Sequence, residues 1–168
     1  MAAGSARLFI ALWPSPALRD ALAAWRDQQP WPAAGRPTPA LQLHLTLHFL
    51  GPVPRERCSA LRTALRQPFA PFTLLLGRPA LWPGGTVVLE PLQPPPQLAQ
   101  LHTTLAQVLR ELALPVEARA YRPHLTLARH AAQARLPDAG PALHWPVSGY
   151  ALVESCGDHG YRLLQRYG

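Results

Sequence analysis

The sequence of 168 residues has no lysine and no asparagine, and it has only two cysteines. Two cysteines are too few for a disulfide framework in a chain of this length, and neither has metal-ligand spacing. No hydrophobic run approaches the roughly 20 residues that cross a bilayer, and the apolar run near the start is too short for a secretion signal. We therefore expect a reduced, cytoplasmic protein without a membrane partner.

Because lysine is absent, all 16 basic residues are arginines, and with nine acidic residues they give a net charge of +7. A GC-rich coding sequence explains the preference for arginine, but the positive charge still has physical consequences. It attracts phosphates, and the guanidinium fork matches their oxygens. The composition therefore favours an anionic partner, and the length predicts a single domain with a sizeable core.

Hydrophobic periodicity predicts strands that alternate with helices. Strands are predicted at residues 7–13, 43–50, 72–76, 86–89, from 124 onwards, 147–153 and 161–164. Leucine-rich helical stripes lie at residues 18–25, 58–65 and 98–112, and residues 30–39 are predicted to be a loop. Ser15 and Pro16 offer an N-cap and a first-turn proline for the first helix.

The tetrapeptide His-Leu-Thr-Leu occurs twice, at residues 44–47 and 124–127. In each half of the chain it follows a predicted strand and a predicted helix. This order predicts a duplicated strand–helix–strand unit within one two-lobed domain, with approximate halves 1–80 and 81–168. No linker divides the chain into independent domains.

The repeated motif places one imidazole and one hydroxyl on the same face of each strand. Because side chains alternate along a strand, His44 and Thr46 point one way, as do His124 and Thr126. If the halves pair about a pseudo-twofold axis, all four side chains converge on one cleft. Two histidines can supply the base and the acid for displacement at a phosphate diester, and threonine hydroxyls can bind its oxygens. This chemistry needs no metal.

Two other interpretations compete with this one. A lone histidine on a strand is more often structural than catalytic. A metal site is the second alternative, because His48 shares the expected face of His44. However, positions four apart on a strand are about 13 Å apart, so these two residues cannot chelate one ion. His48 therefore either contacts substrate along the cleft or is merely solvated. The other histidines are predicted to be structural or exposed: His102, His130, His144 and His159.

Residues 9–14, 44–51 and 121–129 together closely resemble the two-histidine phosphoesterases. Within that superfamily the match is to the bacterial and archaeal RNA 2′,3′-cyclic phosphodiesterases, also called 2′–5′ RNA ligase-like proteins. The resemblance implies an α+β fold of duplicated β-α-β-α-β-type lobes related by a pseudo-twofold axis. It implies two antiparallel sheets with outer helices around a central groove.

The resemblance also implies an activity, the metal-independent and cofactor-free hydrolysis of a terminal 2′,3′-cyclic phosphate to a 2′-phosphomonoester. His124 would be the proton acceptor and His44 the proton donor, while Thr46 and Thr126 would hold the phosphate oxygens. The implied substrates are RNA or oligonucleotide ends with a 2′,3′-cyclic phosphate and nucleoside cyclic phosphates, bound by a monomer. Two alternatives stay open: 2′–5′ RNA ligation as the main role, and a non-catalytic RNA- or nucleotide-binding module.

Residues next to the motifs are further candidates for substrate binding. Arg129 follows the second motif and is expected to bind phosphate, although strict alternation would place it opposite His124. Arg36 and Arg122 lie in predicted loops and are expected substrate contacts. The aromatic candidates for stacking on a base are Phe49, Tyr121, Trp13 and Tyr150. Phe49 shares the parity of the buried leucines, which favours core packing for it.

Overall fold

A computed structural model describes residues 4–168, which form nine β-strands and three α-helices. The strands are β1 (Ser5–Leu12), β2 (Arg36–Pro37), β3 (Leu45–Pro54), β4 (Phe72–Trp82), β5 (Thr86–Leu92), β6 (Leu125–Arg129), β7 (Leu143–Val147), β8 (Tyr150–Ser155) and β9 (Tyr161–Tyr167). The helices are α1 (Pro16–Asp27), α2 (Cys58–Ala64) and α3 (Pro96–Glu111). None of the helices in this described part of the chain is long and apolar enough to cross a membrane.

The predicted start of the first helix is confirmed. Ser15 caps α1, because its hydroxyl oxygen accepts the backbone N–H of Leu18 at 3.2 Å, and Pro16 occupies the first turn. The apolar stripe of the third helix is confirmed at five positions, which are buried in α3: Leu98, Leu101, Leu105, Val108 and Leu109. Leu112, the last position of the predicted stripe, is the half-buried C-cap of α3. Capping and helical periodicity therefore located these elements correctly.

Three predicted strands continue further than expected, and each continues through a proline. Pro52 lies in β3, Pro79 in β4 and Pro91 in β5. At each of these positions the strand has a hydrogen-bonded neighbour on one side only, β1, β5 and β4 respectively. A proline is tolerated there because its missing N–H is not needed by a second neighbour.

Two other predictions of local structure are wrong. The predicted strand 147–153 is interrupted by a turn at Ser148 and Gly149, which separates β7 from β8. Gly149 lies so close to β9 that an added Cβ would overlap the carbonyl oxygen of Tyr167. The predicted loop 30–39 contains the two-residue strand β2, which pairs with β6 and places Arg36 opposite Arg129.

The strands form one antiparallel sheet in the order β7-β4-β5-β6-β3-β1-β8-β9, with β2 also paired to β6. The expectation of two separate sheets is wrong, because all nine described strands belong to one continuous sheet. The two motif strands, β3 and β6, meet at the centre and are joined by a single residue pair, Leu45 with Leu125. These are the first leucines of the two repeated motifs, so the motifs meet at the middle of the sheet.

The two faces of the sheet have different partners, as β1 shows. Leu8 and Ile10 belong to the main core, to which all three helices contribute buried residues. Phe9 and Ala11 alternate with them and belong to a smaller cluster built from strand residues of β1 and β8. The helices therefore cover one face, and the opposite face carries the histidines and threonines of the two motifs.

Candidate active site

Each repeated motif contains a β-bulge at the same position. In β3, Thr46 pairs with Ala11 and His48 pairs with Ile10, so Leu47 is the additional residue. In β6, Thr126 pairs with Val88 and Ala128 pairs with Val87, so Leu127 is the additional residue. A bulge inserts one residue into a strand and resets which side chains share a face. The duplication in the sequence therefore extends to the irregularity of the backbone.

The bulge in β3 reverses the expected positions of the two residues that follow it. His48 is only 5% exposed, and its Nε2 lies 2.8 Å from the carbonyl oxygen of His102. Phe49 is 56% exposed, although alternation from Leu45 had placed it in the core. The predictions for both residues are therefore corrected: His48 is a buried residue that fixes β3 to α3, and Phe49 faces the motif histidine's side.

The bulge in β6 has the same effect on the equivalent position. Strict alternation put Arg129 on the face opposite His124, but the additional residue Leu127 returns it to the face of the motif. Arg129 is exposed and lines the same cavity as His124. The geometric argument against a phosphate contact for Arg129 is thereby removed.

A cavity of about 560 Å³, the main cavity, brings the residues of both motifs together. Its polar lining includes both motif histidines, both motif threonines and three arginines: Arg7, Arg36, Thr38, Gln42, His44, Thr46, His124, Thr126, Arg129, His130, Ser155 and Tyr161. Among the described residues that line it there is no aspartate or glutamate. In residues 4–168, no three His, Cys, Asp or Glu side chains are grouped so as to hold a metal ion. The cavity suits an anion of the size of a nucleotide.

The two motif histidines are oriented by the same local hydrogen bond. Nδ1 of His44 lies 2.6 Å from the carbonyl oxygen of Gln42, and Nδ1 of His124 lies 2.8 Å from that of Arg122. A carbonyl oxygen only accepts, so Nδ1 carries the proton in both rings. Nε2 is left to act on a ligand, and in His44 it lies 3.0 Å from the hydroxyl of Thr46.

Three aromatic rings enclose His44. Trp13 stacks on it with 5.4 Å between ring centroids and 10° between planes, while Phe9 and Tyr161 approach to 4.9 and 5.3 Å. Burial in this cage lowers the pKa of His44 from 6.5 to about 4. The hydrogen bond to the Gln42 carbonyl opposes this shift, and the nearby positive groups add to it. His44 is therefore neutral near pH 7 when no ligand is bound.

His124 lies immediately before β6 and has fewer aromatic neighbours than His44. Its ring centroid lies 4.2 Å from that of Trp82, with the planes tilted by 51°. Burial lowers the pKa of His124 as well, and the hydrogen bond to the Arg122 carbonyl and the carboxylate of Glu90 oppose the shift. Both motif histidines are thus neutral near pH 7, with Nε2 unprotonated.

A smaller cavity of about 300 Å³, the second cavity, adjoins the main one. Both cavities are lined by Thr46, Phe49 and His124. Three of the residues predicted to contact substrate line the second cavity and not the main one: His48, Tyr121 and Arg122. The remaining lining residues are mostly apolar or aromatic: Leu47, Trp82, Pro83, His102, Glu117, Arg119 and Ala120.

Sequence reasoning missed several lining residues. Arg7 and Tyr161 line the main cavity, and Arg7 could have been found because it alternates with the core residues of β1. Tyr161 could not, because only the pairing of β9 with β8 brings it to the cleft. His130, predicted to be structural or exposed, is exposed and lines the main cavity. Tyr150 is buried away from both cavities, and its hydroxyl donates to the carbonyl of Leu65 at 2.6 Å.

The family model of the 2′-5′ RNA ligase superfamily matches residues 14–158. This chain belongs to that superfamily. The assignment confirms the resemblance to the two-histidine phosphoesterases that the motifs carry. The mixed α/β architecture with an antiparallel sheet agrees with it.

Individual relatives within the superfamily cover most of the chain. The RNA 2′,3′-cyclic phosphodiesterase of Escherichia coli (strain K12) is 36% identical over 154 residues, which is 89% of this chain and 86% of that protein. The protein of the same name from Thermus thermophilus is 34% identical over 165 residues, covering 89% of this chain and 81% of its own length. The crystal structure of E. coli LigT complexed with 3′-AMP superposes with a TM-score of 0.86 at 34% identity, covering 96% of this chain and 97% of that one.

Proposed function

We propose that this protein hydrolyses the 2′,3′-cyclic phosphate at RNA ends to a 2′-phosphomonoester by acid–base catalysis between its two motif histidines. The observation that carries the proposal is the main cavity. Both motif imidazoles with unprotonated Nε2 atoms, the hydroxyls of both motif threonines and three arginines line it, without a carboxylate among the described lining residues. The names of its relatives, RNA 2′,3′-cyclic phosphodiesterases, support the same substrate.

In the proposed reaction the oxygen of a water molecule bonds to phosphorus while the P–O3′ bond breaks. Nε2 of His124 accepts one proton from the water, and Nε2 of His44 donates a proton to O3′. Thr46 and Thr126 donate hydrogen bonds to the non-bridging oxygens, where negative charge accumulates, and Arg129 neutralises part of that charge. The products are a 2′-phosphomonoester and a free 3′-hydroxyl.

The donor role requires His44 to be protonated, although its pKa of about 4 makes it neutral near pH 7 in the free protein. A bound phosphate anion raises the pKa of an adjacent imidazole. We propose that His44 takes up its proton as the substrate binds. The proton is then stabilised only when the cyclic phosphate is in place, which couples the acid to the presence of substrate.

We also propose that each half of the chain, 1–80 and 81–168, contains one copy of a duplicated unit and that the two copies are related by pseudo-twofold symmetry. The order β1-α1-β3 matches β5-α3-β6, and in each unit the two strands pair antiparallel with the bulge at the same motif position. Each unit has two further strands on its outer side, β8 and β9 beside β1, and β4 and β7 beside β5. The cysteine content supports a cytoplasmic location. We propose action as a monomer because one chain supplies both motif histidines and both motif threonines, so the proposed reaction needs no residue from a second copy.

The experiment is turnover of a nucleoside 2′,3′-cyclic monophosphate with excess chelator, followed by identification of the product isomer. We expect the 2′-phosphate, and we expect His44→Ala and His124→Ala each to lower turnover at least ~100-fold. His144→Ala is the matched control, because this exposed histidine lines neither cavity. Binding without turnover in the unaltered protein would instead identify a non-catalytic nucleotide-binding module.

A further inference from the structure

One end of the main cavity has no role in the proposed reaction. Thr46, a proposed phosphate ligand, pairs with Ala11 of β1. The same strand also carries Arg7, which lines the cavity four residues before Ala11. Four residues span about 13 Å along a strand, so Arg7 lies well away from the motif. Arg7, Ser155 and Tyr161, which line this part of the cavity, are named the Arg7 end.

The arginines of the main cavity form two separate groups. Arg36 and Arg129 lie opposite each other on β2 and β6. The strands β3 and β6 run antiparallel from the pair that Leu45 makes with Leu125, so they lead to opposite ends of the cavity. Arg129 ends β6, whereas Arg7 of β1 pairs with the far part of β3. The two groups therefore offer two positions for an anion, and one cyclic phosphate accounts for only one of them.

The charge of Arg7 is available to a ligand. Its side chain is exposed, and no Asp or Glu among residues 4–168 forms an ion pair with it. Glu154 of β8 lies opposite Leu8, the residue next to Arg7. The carboxylate of Glu154 is occupied, however, because one oxygen binds Arg55 at 2.8 Å and the other binds Arg162.

Two hydroxyl groups complete the Arg7 end. Ser155 follows Glu154 on β8 and therefore lies at the register of Arg7. It pairs with Tyr161 of β9, and both side chains line the main cavity. Arginine, serine and tyrosine are among the side chains that donate hydrogen bonds to phosphate oxygens in nucleic-acid complexes. A guanidinium with two hydroxyls and no ion-pair partner in the described chain thus suits a phosphodiester.

We infer that the Arg7 end binds a phosphodiester on the 5′ side of the terminal nucleotide, so that the site favours RNA ends over free nucleoside cyclic phosphates. The inference rests on the proposed hydrolysis, in which His44 protonates O3′. The terminal ribose then lies on the side of His44, and the ring of Tyr161 is 5.3 Å from that imidazole. In an RNA end with a 2′,3′-cyclic phosphate, the next phosphate is on the 5′ side of this ribose. The Arg7 end is on the side where it enters.

An exposed aromatic ring lies between the motif and Arg7. Phe49 pairs with Phe9, two residues from Arg7 on β1, and the two phenyl centroids are 6.2 Å apart. Phe49 is 56% exposed and lines the cavity. Aromatic rings that alternate with positive charge along a groove are typical of surfaces that bind single-stranded nucleic acid. This arrangement supports an RNA strand that runs from the motif to Arg7.

The experiment compares kcat/KM for three substrates that end in the same 2′,3′-cyclic phosphate. They are a mononucleotide, a trinucleotide, and a trinucleotide whose internal linkages are uncharged methylphosphonates. We expect the charged trinucleotide to exceed the mononucleotide by at least ~10-fold, on the scale of one charge-assisted hydrogen bond. The uncharged trinucleotide should lose that gain. This comparison uses the unaltered protein, so it does not depend on the folding of a variant.

The residue is tested by Arg7→Gln, which should lower the ratio of charged trinucleotide to mononucleotide by ~10-fold. The dependence of log kcat/KM on log salt for the trinucleotide should become less steep by ~0.7, the value of one phosphate contact on a single strand. Arg78→Gln is the matched control, because it removes the same charge from an exposed strand residue that lines neither cavity. It should leave the ratio and the salt slope unchanged.

The outcomes separate this inference from the proposed function. Equal kcat/KM for the mononucleotide and the charged trinucleotide would overturn the phosphate contact and leave the hydrolase intact. A gain that survives the uncharged linkages, or that survives Arg7→Gln, would overturn it in the same way. Absence of turnover for all three substrates would overturn the hydrolase and this inference together.

Discussion

Trp13→Ala is expected to raise the pKa of His44 and to move the pH dependence of catalysis. Trp13 stacks on the imidazole within a cage that also contains Phe9 and Tyr161. Burial in this cage is the largest cause of the low pKa of His44. Removing the indole admits water to one face of the ring, and water favours the protonated imidazole.

The magnitude follows from the size of the shift. A pKa lowered from 6.5 to about 4 corresponds to about 3 kcal/mol against the protonated form of His44. Trp13 is one of three rings in the cage, so its removal should restore roughly a third to a half of the shift. We expect the pKa to rise by ~1 unit, which is about 1.4 kcal/mol.

The assay is the titration of the His44 imidazole by NMR, together with kcat/KM for a cyclic mononucleotide between pH 4 and 8. In the free protein the pKa values of both motif histidines lie below 6.5, so kcat/KM should be highest at acidic pH. The rate should fall at higher pH as the proposed acid loses its proton, and in Trp13→Ala this descending limb should move up by ~1 pH unit. Trp31→Ala is the control. A His44 that titrates near 6.5 in the unaltered protein would refute the cage argument.

Three further outcomes are expected. Phe49→Ala should lower the free energy of unfolding in urea by less than ~1 kcal/mol because Phe49 is 56% exposed, whereas Phe72→Ala should cost ~3–5 kcal/mol because Phe72 is 7% exposed; equal losses would contradict the bulge. Arg129→Ala should lower kcat/KM at least ~10-fold, while Arg135→Ala should leave it within ~2-fold, and equal effects would contradict the phosphate contact. The unfolded state takes up a proton on His44 near pH 6.5 and the folded state only near pH 4, so the contribution of His44 to stability should be constant above pH 6.5 and fall by up to about 3 kcal/mol towards pH 4. His44→Gln should remove that part of the fall in urea titrations; an unchanged pH dependence would contradict the low pKa.

The sequence predicted the parts of this fold that depend on local pattern. The N-cap at Ser15, the buried stripe of α3 and the strand β1 follow from capping and periodicity, and the structure confirms them. The convergence of His44 and His124 on one cavity follows from the repeat. What makes these features predictable is that each depends on residues close together in sequence, or on two identical short segments.

The parts that could not be predicted depend on pairing between distant strands. Alternation holds from His44 to Thr46 and then fails, because Leu47 is an additional residue relative to β1. The hydrophobic pattern of β3 does not reveal the bulge, because the sequence from Leu45 to Leu50 is compatible both with a regular strand and with a strand that has one additional residue. The positions of His48 and Phe49 were therefore reversed, and the single sheet was missed because one residue pair joins its two halves.

The equal bulges also explain how a repeated frame can hold an asymmetric reaction. The additional leucine turns the residue five positions after each motif histidine towards the ligand side, and this residue is Phe49 in one copy and Arg129 in the other. A phenyl ring offers a surface to a base, whereas a guanidinium offers charge to a phosphate. The surroundings of the imidazoles also differ, because three aromatic rings enclose His44 whereas His124 adjoins the single indole of Trp82. Two copies of one motif thus acquire the unequal environments that the proposed donor and acceptor require, and the difference arises from neighbouring residues and not from the motif itself.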